Sequence, residues 1–142
     1  MRLILTGMIV AVAIVAGAIA VVDATQVISR TPRQLGEQSE LVVRGKVVDV
    51  RSFWNDKRTK IYTTTRIAVD ESYKGSGPGS VDLIQMGGVV DNVKVTVHGA
   101  LQWRTGEEVL LFLESTDGRS YHVSGFSQGK FNIKRNARTG EA

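Results

Sequence analysis

The chain has no cysteine among its 142 residues. That excludes disulfides, thiolate metal ligands and lipid attachment through a cysteine. Histidine is almost as scarce. His98 and His122 stand far apart, and no Asp/Asn-rich calcium loop accompanies them, so no motif asks for a metal or another cofactor. Proline occurs twice, at Pro32 and Pro78. Charge of one sign does not dominate: the net charge of +4 favours solubility and weak attraction to acidic surfaces but is too small to argue for nucleic acid.

The one long apolar run lies at the start. Met1 and Arg2 precede Leu3 to Val22, and small residues follow at Ala18-Ile19-Ala20 and Val22-Asp23-Ala24. This three-part layout reads as a signal peptide over residues 1–24, cut near Val21 or Thr25. The alternative is an uncleaved anchor, because a helix from Leu3 to Val22 would be about 30 Å long. The expected location is the periplasm, the cell surface or the exterior, with membrane anchoring as the other possibility.

Residues 25–40 form a lead-in with a short helix or turn, for Thr31 can cap it and Pro32 suits its first position. From Leu41 the apolar period is two. LVVRGKVVDV (41–50) changes parity midway, the pattern of a bulge, and Gly45 suits a sharp bend. IYTTTRIAV (61–69) alternates cleanly. SVDLIQM (80–86) and VKVTVH (93–98) read as strands. VLLFL (109–113) is apolar on both faces and reads as a central, doubly covered strand. Asp117-Gly118 marks a hairpin, YHVSGF and KFNI close the series, and residues 135–142 form a polar tail. Short strands at regular spacing after one helical piece predict an all-β fold. A bent first strand favours closure into a small barrel over residues 41–134.

Three chemical signals need weighing. Glu107 and Glu108 stand together before the apolar run, but neighbours in a strand point to opposite faces, so they cannot share a proton. Gly125-Phe126-Ser127-Gln128-Gly129 matches G-x-S-x-G. That motif works on a strand-to-helix turn with a later histidine, whereas here strand-like KFNI follows and both histidines come earlier. Gly75-x-Gly77-x-Gly79 lacks the helix start that a phosphate loop requires. One stretch keeps promise for binding: Phe53 and Trp54 stand beside Lys57, Arg58 and Lys60 in the connection between the first two strands. Such a grouping can stack on bases or sugars and hold anions, although a solvated hairpin whose tryptophan folds back on the barrel is the simpler explanation.

In order, ELVVRGKVVDV, IYTTTRIAVDESYKG, GG, RTGEEVLLFLE and YHVSGFSQGKFNI resemble the barrel of tissue inhibitors of metalloproteinases and netrin-type domains. More closely they resemble the cysteine-free secreted bacterial proteins of that kind. The resemblance covers about residues 35–134 and implies a five-stranded OB-type barrel. The N-terminal cysteine that chelates the protease zinc in tissue inhibitors has no counterpart here, so inhibition does not carry over.

The expectation is an all-β protein: a small five-stranded OB-like barrel with a short helix or turn before strand one, preceded by an apolar leader. It is read as a non-catalytic module at the cell envelope that binds an envelope or extracellular protein. The alternative is a barrel that binds an anionic polymer or glycan through residues 53–60.

Overall fold

A computed structural model describes residues 28–141. The leader expected over residues 1–24 lies outside the described residues. Thr31 caps helix α1, Pro32–Gln38: its side chain accepts from the Gln34 amide, and the Gln34 side chain accepts from the Thr31 amide. The helix buries Leu35 against Val42 and Phe112.

The strands are β1 (Leu41–Trp54), β2 (Ile61–Lys74), β3 (Ser80–Met86), β4 (Gly88–Val90), β5 (Val93–Val95), β6 (Glu108–Ser115), β7 (Ser120–Val123) and β8 (Lys130–Asn132). Five of them close a ring in the order β1-β2-β3-β7-β6, with β6 returning to β1. All pairings in the ring are antiparallel except β3 with β7, which is parallel. β8 continues along the β6 edge that β7 leaves.

Closure depends on β1, which pairs with β2 along nearly its whole length and with β6 through its first half. Its register with β2 shifts between Val42 and Val43, Arg44 and Gly45, and Val47 and Asp49, and such bulges bend a strand. Gly45 lies so close to β2 that a Cβ there would collide with the Ala68 carbonyl. The parity switch in the sequence marks this bend: Val43 and Val47 face the core before it, and Val50 packs against the core after it.

The ring encloses one cluster that includes Val43, Val47, Ile67, Leu83, Leu111 and Leu113. Ile61, Thr63, Thr65 and Ile67 are buried at alternate positions of β2, as their period requires. β6 is covered on both faces, by this cluster through Val109, Leu111 and Leu113 and by α1 through Phe112.

Two expectations change. VKVTVH does not supply a strand of the ring. Only Val93–Val95 is strand, and it pairs with β4 in a separate two-stranded hairpin. The turn is Asp91-Asn92, both at positive φ, a conformation that short polar side chains tolerate. Val93 is exposed, so its alternation reflects the local hairpin and not a buried face. The first connection is also shorter than read, because β1 runs through Trp54 and leaves only residues 55–60 as loop.

Candidate functional site

Residues 53–60 divide between a strand end and a tight loop. Asn55 organises the loop: its side-chain oxygen accepts from the Thr59 and Lys60 amides, and its own amide donates to the Lys60 carbonyl. Phe53 and Trp54 are strand neighbours and point to opposite faces. Phe53 is exposed and stacks on its cross-strand partner Tyr62, with ring centroids 6.3 Å apart. The Trp54 ring lies 5.7 Å from the Arg58 guanidinium, and its buried indole N–H has no acceptor among the described residues. Arg58 also reaches Asp91 at 3.2 Å, tying the loop to the β4–β5 hairpin. Lys57 and Lys60 are exposed and have no ion pair among the described residues. The five residues therefore divide into exposed cations at the turn (Lys57) and the loop base (Lys60), an Arg58–Trp54 contact whose cation is already engaged by Asp91, and Phe53 on the far face.

The acidic pair diverges, but not within one strand: Glu107 ends the turn before β6, and Glu108 is the first residue of β6. Glu107 binds Lys130 at 3.1 Å, and Glu108 binds Arg135 through two hydrogen bonds that anchor the polar tail. Arg135 holds the Glu108 carboxyl below the ordinary carboxylate range. Gly125 to Gly129 form a turn between β7 and β8, with Ser127 exposed and no helix following.

A larger concavity lies elsewhere. The parallel ladder between β3 and β7 covers only Asp82 with Ser120 and Leu83 with Tyr121. Beyond it the two strands separate, and a cleft of about 460 Å³ opens at the seam. That volume lies within the range of small-ligand and side-chain pockets. Leu83 and Val123 line its floor, and Leu101 and Trp103 supply a wall. This wall is fixed by Gln85, which donates to the Leu101 carbonyl at 2.9 Å and accepts from the Trp103 indole at 3.3 Å.

Two residues of the cleft are unusual. Thr65 is 1% exposed, and its hydroxyl has no hydrogen-bond partner among the described residues. A buried hydroxyl left unpaired costs about 1–3 kcal/mol. Phe126 stands on the lip, 74% exposed, with φ of 63°. A bulky residue in the left-handed region is strained by roughly 1–2 kcal/mol. Local backbone strain concentrates at functional sites, and a buried polar group without a partner calls for an explanation.

Arg30, His98, Glu114 and His122 also line the cleft. His122 contacts Thr116 at 3.2 Å and Glu114 at 3.7 Å, a grouping that resembles a hydrolytic triad in composition alone. Glu114 faces His122 across the β6–β7 ladder, and Thr116 lies just past its end, so ordinary cross-strand packing accounts for the three. Among the described residues no set of three His, Asp or Glu is gathered as metal ligands would be.

None of the cleft residues was singled out for binding from the sequence. Thr65 reads there as one member of an alternating face. Phe126 sits inside a motif whose chemical signal is its serine. The available signal was a phenylalanine in a turn of glycine and polar residues, where burial cannot explain it. No protein-family model matches the chain, and no curated protein is significantly similar to it.

Proposed function

We propose that this chain is a non-catalytic binding module built on an OB-type barrel, acting after export at the cell envelope, and that it binds a partner protein at the seam between β3 and β7. The observation that carries the reading is the cleft itself: concave, mainly apolar, with one orphan hydroxyl at Thr65 and one strained, exposed aromatic at Phe126. An exposed aromatic beside a pocket is the kind of group that dominates protein interfaces. The OB-type assignment is supported by the closed order β1-β2-β3-β7-β6 with its single parallel pair, and by the five-strand resemblance noted above. The envelope assignment rests on the apolar leader.

The test compares the immobilised protein with its Phe126→Ala variant as baits for envelope extracts from the native cell. A partner retained by the parent and reduced at least tenfold by the variant supports the reading. Equal retention by both moves the site off the cleft. Phe126 is mostly exposed, so the variant is expected to fold.

A second reading, binding of an anionic polymer or glycan, is favoured by the exposed Lys57 and Lys60 of the loop, which have no ion pair among the described residues. It requires affinity that falls steeply with salt and that flattens in a Lys57→Gln, Lys60→Gln double variant.

A further inference from the structure

The open seam is a sheet edge as well as a pocket. Just past the two ends of β3, the Gly87 amide donates to the Ile61 carbonyl, and the Val69 amide of β2 donates to the Gly79 carbonyl. In an antiparallel pair, hydrogen-bonded positions alternate. Val81, Leu83 and Gln85 therefore direct their backbone groups to β2, while Asp82, Ile84 and Met86 direct theirs to the other edge. On that edge β7 pairs no further than Leu83 with Tyr121, which engages the Ile84 amide at most. The Ile84 carbonyl and the Met86 N–H remain, and they have no protein partner among the described residues. Ile84 and Met86 both line the cleft.

One acceptor and one donor, two residues apart on a strand edge, are the complement of a single residue in an extended chain. Pairing there would satisfy both groups and continue the sheet where β7 departs. A side chain of such a strand would enter the cleft below it, where the Thr65 hydroxyl lacks a partner. Arg30 on the cleft lining has no carboxylate partner among the described residues.

Resting on the binding-module reading above, we infer that the partner's contribution is an extended peptide segment. It adds as a short strand to the Ile84–Met86 edge, places one apolar side chain in the cleft and sets an acidic side chain against Arg30. Recognition is then shared: main-chain hydrogen bonds supply affinity, and the pocket and Arg30 select the sequence.

The probe is a random heptapeptide library displayed on phage, selected on the full protein and counter-selected on Phe126→Ala. Enriched peptides are synthesised in two forms, one ordinary and one N-methylated at alternate residues so that its strand edge cannot donate. Strand addition predicts enrichment of peptides with an apolar residue near an acidic one. It also predicts at least tenfold weaker binding of the N-methylated form in one of its two registers, and at least tenfold slower exchange of the Met86 amide in the complex. Tight binding of both N-methylated registers, with Met86 exchange unchanged, overturns strand addition but leaves a side-chain pocket and the broader reading standing. No peptide that distinguishes the parent from Phe126→Ala overturns both. Arg30→Gln separates the charge contact: unchanged affinity for the acidic peptides removes Arg30 from the proposal.

Discussion

The Lys130 ammonium lies 4.4 Å from the centre of the Trp103 ring. Its side chain is only 7% exposed, and it donates to the Gln102 carbonyl at 2.7 Å and to Glu107 at 3.1 Å. Trp103 in turn bonds Gln85 of β3. One lysine of β8 therefore fixes the segment that walls the cleft, and Glu107, the first of the acidic pair, serves as its counterion.

Replacing Lys130 by Met should break this arrangement. A nearly buried ion pair that loses one partner leaves the other charge uncompensated, at a cost of about 3–5 kcal/mol when burial is complete. Glu107 keeps some contact with water, so about 2–3 kcal/mol is expected. Denaturant melts measure this, and a loss below about 0.5 kcal/mol would show that Trp103 is held by packing alone.

Leu111 is fully buried at the centre of β6. Leu111→Ala should destabilise by about 2–5 kcal/mol, the transfer and cavity cost of a core leucine. The same substitution at Leu110, which is only partly buried, should cost clearly less. Equal losses at the two positions would contradict the assignment of faces along this strand.

Thr65→Val tests the orphan hydroxyl. Valine keeps the shape and removes a polar atom that has no partner. The free protein should then gain about 1 kcal/mol of stability, the reverse of the usual penalty for an unmet hydrogen bond. Affinity for a ligand that uses the hydroxyl should fall. A destabilised variant would mean that the hydroxyl is satisfied in solution.

Much of the fold was legible because burial imposes period. The alternating face Ile61 to Ile67, the doubly apolar VLLFL and the Thr31 cap each carry a local physical signature, and each occupies the expected place. The bulge in β1 was visible as a parity change. VKVTVH misled because alternation does not say which sheet a strand joins, and a two-stranded hairpin alternates like a ring strand. The cleft was not legible. It exists because β7 leaves β3 after two residue pairs, and no local pattern encodes where two strands distant in sequence separate.

Acid should weaken the outer face of the sheet. Arg66 clasps Asp82 through two hydrogen bonds at 2.7 and 2.9 Å and holds its carboxyl below the ordinary 3.8, while Arg135 lowers Glu108 below 4.5. Both carboxyls bind protons less readily folded than unfolded, so stability rises with pH across this range. Their contribution should be complete above about pH 5.5 and lost as pH falls through the carboxylate range. Arg135→Gln should flatten the portion nearest pH 4.5, and added salt should reduce the effect, since both pairs face solvent. A pH profile identical in the parent and the variant would remove Glu108 from the account.

The most direct test of the cleft as the working surface is photo-crosslinking in the native cell. With p-benzoylphenylalanine in place of Phe126, light should join the protein to one discrete partner. The same group in place of Tyr73, also exposed but not part of the cleft, should give little of that product. Absence of any adduct at position 126, or the same adduct in equal yield from position 73, would contradict the claim that this protein works through the seam between β3 and β7.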